Sequence, residues 1–159
     1  IKSDSGGVIL NIKSIDQLKD EFMRMKKKFF DFDFRGAMLY EQIENHVEII
    51  IGMKRDPQFG PVLLVGAGGV LTELVKDTSL RVAPVDRDEA LEMISELGIN
   101  KLLSGFRGKP KLDREALAEL VSKASVLPLE YPSIKELDLN PVFVTEKGLF
   151  IGDVRIIVS

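Results

Sequence analysis

Between residues 37 and 83 the chain passes through one strand-length apolar stretch after another, and the breaks between them are too short to hold a helix. Ala37 to Ile43, Val47 to Met53 and Val62 to Val65 are separated only by Glu44-Asn45-His46 and by Asp56-Pro57-Gln58-Phe59-Gly60-Pro61. After Gly66-Ala67-Gly68-Gly69 come Val70 to Lys76 and then Leu80 to Ala83, ending at Pro84. A parallel crossover needs about a dozen residues or more, so neighbours joined by such loops pair antiparallel. Helices form separate blocks. Ser14 precedes apolar residues at Leu18, Phe22, Met25 and Phe29, a helical spacing, with Asp16 in the first turn. Asp86 to Leu97 and a segment capped by Asp113 through Leu117, Leu120, Val121 and Ala124 read likewise. A short strand over Val8 to Ile12 and a final pair, Leu137 to Val144 and Leu149 to Ile157, complete the pattern. The expected class is α+β: a mostly antiparallel sheet with flanking helices, not a doubly wound parallel one.

The chain has 159 residues, a net charge of −3 and 45% hydrophobic residues, enough for one ordinary core. No repeat or linker divides it, so residues 1–159 read as a single domain. The near-neutral balance supplies no cationic field for nucleic acid or anionic lipid. With no cysteine and one histidine, disulfide frameworks, thiolate metal sites and His-rich centres are excluded. Apolar runs are strand-sized, so no membrane helix is expected; the default location is the cytoplasm. The opening Ile1-Lys2-Ser3-Asp4 reads as the front of a fragment of something longer.

The last hairpin holds the strongest chemical signal. If Val144 pairs with Leu149 across Glu146-Lys147-Gly148, Asn140 falls directly opposite Asp153. Opposed residues share a face, about 4.5–5.5 Å apart at Cβ. Asp138, two residues before Asn140, projects to that face, while Leu137, Leu139 and Val154 point the other way. Oxygen donors on one face and aliphatics on the other suit a hard cation such as Mg²⁺, which completes its shell with water and phosphate oxygens. A solvated outer sheet face is the competing reading. Gly66-Ala67-Gly68-Gly69 follows an apolar strand and could bring backbone N–H groups close to an anion, or form a strained turn. It is neither a dinucleotide-binding fingerprint nor a Walker A sequence. Tyr40-Glu41-Gln42-Ile43 and Val47-Glu48 flank a turn able to offer amides to a base and a carboxylate to a ribose. His46, in that turn, reads as solvent-exposed rather than catalytic.

The strings GMKRDPQFGP (52–61), the following strand with GAGG, LRVAP (80–84), and LDLNPVFV (137–144) with the later Asp153 resemble one family throughout and in order. It is the ATP-grasp β subunit or domain of the ADP-forming acetate–CoA ligases (acyl-CoA synthetases, NDP-forming), itself similar to the succinyl-CoA synthetase β chain. The resemblance implies an ATP-grasp fold that clamps ATP or ADP between two lobes. It also implies reversible phosphoryl transfer through a histidine, with acetyl-CoA, ADP and phosphate giving acetate, CoA and ATP. By the same likeness Mg²⁺ is held by Asn140, in an acidic-x-Asn-Pro motif, and by Asp153. The adenine hinge falls on a strand ending at Glu41, Gln42 and Ile43, with Glu48 on the next. Arg55, Arg81 and Gly66, Gly68 and Gly69 resemble phosphate-side positions. The implied partner is a CoA-binding α subunit or domain.

One departure stands out. The family reads His-Lys-Ser-Asp-x-Gly-Gly-Val, and here Ile1 stands where the phosphohistidine is expected, with Lys2, Ser3, Asp4, Gly6 and Gly7 matching. The family's preceding segment, with an ATP-contacting lysine, is absent as well, so these residues alone are expected to turn over no substrate. The alternatives are a nucleotide-sensing ATP-grasp module without phosphoryl transfer, and a structural subunit with a merely solvated hairpin face.

Overall fold

The computed structural model describes residues 6–69 and 77–158, in two compact units that meet at Glu44 and Asn45. In the first unit, helix α1 spans Ile15–Lys28. Ser14 caps it as its composition predicts: the Ser14 hydroxyl accepts from Gln17 N at 3.1 Å, and Gln17 Oε1 accepts from Lys13 N at 2.9 Å. Asp16 in the first turn and Lys26, Lys27 and Lys28 in the last complement the helix dipole. A short 3₁₀ turn, Phe30–Phe32, follows. Leu18, Met25 and Phe29 are half-buried, and no residue of α1 is fully buried. The strands expected over Val8 to Ile12 and Ala37 to Ile43 do not form; both stretches lack regular structure. Short apolar runs look alike whether or not a sheet edge is available, and only a partner strand turns one into a β-strand.

The second unit holds the sheet. Strands β1 (Val47–Asp56), β2 (Gly60–Ala67) and β3 (Thr78–Val82) are followed by helices α2 (Arg87–Glu96), α3 (Asn100–Leu103) and α4 (Arg114–Glu130). Strands β4 (Ile134–Thr145), β5 (Gly148–Ile151) and β6 (Val154–Val158) end it. The order is β3-β2-β1-β4-β5, with β6 also on β4, and every pairing is antiparallel. Asp86 and Asp113 cap α2 and α4 as expected, accepting from Glu89 N at 2.8 Å and Ala116 N at 2.9 Å. The strand expected over Val70 to Lys76 lies outside the described residues.

Alternation puts Ile49, Ile51 and Met53 of β1, Leu63 and Val65 of β2, and Leu137, Leu139, Val142 and Val144 of β4 in the core. Met93 and Ile94 of α2 and Leu117, Ala118 and Val121 of α4 close over them. The helices thus cover one face of the sheet. The other, the open face, bears Glu48, Ile50, Gly52, Asp138 and Asn140.

Candidate functional site

The final hairpin adopts the expected register: Val144 pairs with Leu149, Val142 with Ile151, and beyond the bend Leu139 pairs with Val154 and Asp138 with Arg155. Asn140 N donates to Asp153 O at 3.2 Å, and Gly152 N to Pro141 O at 2.8 Å. Asn140 and Asp153 are both exposed, and Asp138 is half-buried. The β1–β4 pairing shifts register between Ile49 and Ile51. Ile49 pairs with Val142 while Ile51 pairs with Leu139, so Asn140 and Pro141 together oppose Ile50. This bulge resets the alternation. Leu139 and Val142 both enter the core although two residues, not one, lie between them, and Asn140 and Pro141 stay on the open side. Val154 shares the face of Leu139 but is half exposed, being at the sheet's edge rather than inside the core.

Glu48 stands on the same open face, paired with Phe143 and, by strand rise, about 7 Å along β1 from the residue opposite the bulge. The glycines pack against it. Gly68 N donates to Glu48 O at 2.8 Å, and a Cβ at Gly68 would lie 2.9 Å from the Glu48 carbonyl carbon. Gly69, at φ +65, would bring a Cβ to 2.9 Å from Glu48 Oε2. Gly68 is therefore required by close backbone approach, with its amide already used inside the protein, and Gly69 by its left-handed backbone, since it faces only the end of the flexible Glu48 side chain. Gly66 sits between Ile50 and Thr78, where a Cβ would meet Thr78 Cγ2 at 2.8 Å. His46 is not a free turn residue as expected. Its ring stands edge-on to Phe143, centroids 4.6 Å apart, and Nε2 lies 3.5 Å from Glu48 Oε1.

Arg55 and Arg81 lie on the other side of the sheet. Arg55 belongs to the helix-covered face: its Nη2 donates to Pro128 O at 2.8 Å and to Ile134 O at 3.4 Å, tying β1 to the end of α4. It also lies seven residues from Glu48, roughly 24 Å along an extended strand. Arg81 is paired with buried Leu63, on the helix side, where its guanidinium binds Glu96 and lies 3.5 Å from Glu89 of α2. That contact and the Ser79 hydroxyl hold the Glu96 carboxyl below its usual range. Neither arginine joins the open face. Alternation along β1 groups Arg55 with Ile49, Ile51 and Met53, whereas the face of Arg81 follows only from its pairing with Leu63, because Leu80 and Val82 beside it are the exposed residues of that strand.

Glu41, Gln42 and Ile43 occupy the irregular segment of the first unit. Gln42 is engaged there: Oε1 accepts from Asn11 N at 2.7 Å and Nε2 donates to Asn11 Oδ1 at 3.1 Å. Ile1 lies outside the described residues. Among the described residues no three His, Cys, Asp or Glu side chains gather as a metal-binding group. The donor set on the open hairpin fits a cation that takes few protein ligands: one amide oxygen, one carboxylate opposite it, and a second acid nearby.

A family model described as an ATP-grasp domain matches residues 1–158. The chain is 41% identical over 160 residues to the acetate–CoA ligase [ADP-forming] I subunit beta of Pyrococcus furiosus, covering 98% of this chain and 69% of that one. It is 40% identical to the 4-hydroxybutyrate–CoA ligase [ADP-forming] of Nitrosopumilus maritimus, covering 98% of this chain but 23% of that longer one. Among solved structures it is similar to Ca. Korarchaeum cryptofilum dinucleotide forming acetyl-coenzyme A synthetase 1 in complex with coenzyme A and Mg-AMPPCP. The TM-score is 0.85 at 39% identity, with 100% of this chain and 71% of that one covered.

Proposed function

The chain belongs to the ATP-grasp family of ADP-forming acetate–CoA ligase β subunits, and we propose that Asn140 and Asp153 on its open sheet face hold Mg²⁺ against the phosphates of ADP or ATP. It is the nucleotide-binding, ATP-grasp part of such a ligase. The reaction we assign to the whole enzyme is acetyl-CoA, ADP and phosphate to acetate, CoA and ATP, with an α subunit or domain supplying the CoA site. Relatives named for acetate and for 4-hydroxybutyrate share almost equal identity with this stretch, which supports placing acyl choice outside it.

The observation behind the metal assignment is the backbone pairing of Asn140 with Asp153 at a bulge that keeps both on the exposed side. Bound Mg²⁺ would neutralise phosphate charge during phosphoryl transfer. Asn140 on β4 and Asp153, in the short gap between β5 and β6, would hold it, so the hairpin's register sets the spacing of the ligands. Glu48, backed by Gly68 and Gly69, offers a carboxylate farther along the same face for a hydroxyl of the nucleoside. Calorimetric titration with ADP tests the reading. Affinity should depend on Mg²⁺ and fall at least tenfold in Asn140→Ala and in Asp153→Ala; unchanged affinity in both variants would overturn it.

A second reading, nucleotide sensing without phosphoryl transfer, draws on Ile1 at the histidine position. Incubating the chain, extended upstream with histidine restored, with γ-labelled ATP separates the two. Acid-labile, alkali-stable label on histidine is expected only from the ligase.

A further inference from the structure

The sheet bears three arginines on its strands, and the two that sequence similarity assigned to phosphate both turn toward the helices. The third, Arg155, stands on β6 as the Cα partner of Asp138, so it shares the open face with Asp138, and it follows Asp153 by two residues. It is exposed, and among the described residues its side chain makes no hydrogen bond or ion pair, even with the acid directly across from it. Lys54, also on this face, is engaged by Glu136 at 3.3 Å. Without Arg155 the open face around the hairpin presents chiefly acids: Glu48, Asp138 and Asp153. A nucleotide's phosphates would meet that field with only a divalent ion to offset it. Phosphoryl transfer depends on charge neutralisation, and a guanidinium offers a planar, permanently charged fork that matches phosphate oxygens.

We propose that Arg155 binds the phosphate oxygens of the nucleotide held at Asn140 and Asp153. The inference rests on the Mg²⁺–nucleotide reading of that face and adds the cation which Arg55 and Arg81, held against the helices, do not provide there. A residue that merely pairs across the strands with Asp138 would affect stability alone; one that binds phosphate affects ligands in proportion to their phosphates.

The test uses the full-length enzyme assembled with its CoA-binding partner, titrated with Mg²⁺-ADP and, separately, with adenosine, alongside thermal denaturation without nucleotide. Arg155→Ala should weaken Mg²⁺-ADP binding at least tenfold, leave adenosine binding within twofold, and shift the melting midpoint little. Arg155→Lys should recover part of the lost affinity. If Arg155→Ala binds Mg²⁺-ADP like the wild type while Asn140→Ala does not, the role of Arg155 is refuted and the metal reading stands. Equal losses for adenosine and Mg²⁺-ADP, together with a lowered midpoint matched by Asp138→Asn, would refute it in favour of a structural pair. If Asn140→Ala and Asp153→Ala both bind normally, the underlying reading fails and the inference with it.

Discussion

Gly68 illustrates how a single hydrogen atom in place of a side chain shapes the open face. Its amide bonds the Glu48 carbonyl, and a Cβ there would sit 2.9–3.0 Å from Glu48 backbone atoms, which cannot move without breaking the β1–β2 ladder. Gly68→Ala is expected to cost about 1–3 kcal/mol by overpacking, read as a drop in melting midpoint of about 2–4 °C per kcal/mol. Displacement of Glu48 should weaken nucleotide binding in the same variant. In the core, Ser125 is fully buried, accepts from Val85 N at 2.9 Å and reaches Ser122 O at 2.7 Å. Ser125→Ala strands the Val85 amide without a partner. A loss of about 1–3 kcal/mol is expected in denaturant titration. In the string Gly68 reads as part of an anion-binding loop or a strained turn; its close approach to Glu48 is not legible there, because the atoms a Cβ would strike belong to a strand about twenty residues earlier.

At the scale of elements, helix ends were legible and strand partners less so. Ser14, Asp86 and Asp113 all cap as their positions imply, because a cap is a local event between a side chain and an amide three residues on. Asp113→Ala should lower stability by about 1 kcal/mol, measurable by the urea midpoint. The β3–α2 contact carries a pH signature. Arg81 and Ser79 hold the Glu96 pKa below its usual 4.5, so the folded state binds that proton less readily than the unfolded chain. The resulting stabilisation is present above pH 4.5 and disappears as pH falls through the lowered folded value. Glu96→Gln should therefore flatten the loss of stability on acidification in this window, followed by thermal denaturation from pH 6 to pH 3. The register of the last hairpin followed from its tight turn. The bulge opposite Ile50 did not, since it arises only when β4 is matched against β1.

For the molecule as a whole, the two units differ in what they bury. The sheet unit has a continuous core under α2 and α4, while α1 of the first unit has no fully buried residue. Hydrogen exchange should accordingly be slowest in β1, β2 and β4 and markedly faster in α1. Saturating Mg²⁺-ADP should raise the melting midpoint, by an amount equivalent to about 2.7 kcal/mol at a hundredfold excess over the dissociation constant. Mg²⁺ or ADP alone should do much less, and Asn140→Ala should abolish the difference.

Amino-acid order alone determined the class, the caps and the hairpin register, because these depend on period, neighbouring residues and short turns, and through the likeness of its motif strings it pointed to the family. It also placed Asn140 opposite Asp153, since a tight hairpin ties register to chain distance. Only the folded sheet decided which face each cation occupies. Arg55 and Arg81 sit among phosphate-like motifs in the linear string, yet strand alternation and the packing of α2 and α4 turn them into contacts beneath the sheet. Arg155, unremarkable in the string, comes to lie beside the acids because β6 folds back along β4. A side chain's face is set by pairing between distant strands, and that pairing exists only once the chain has closed on itself.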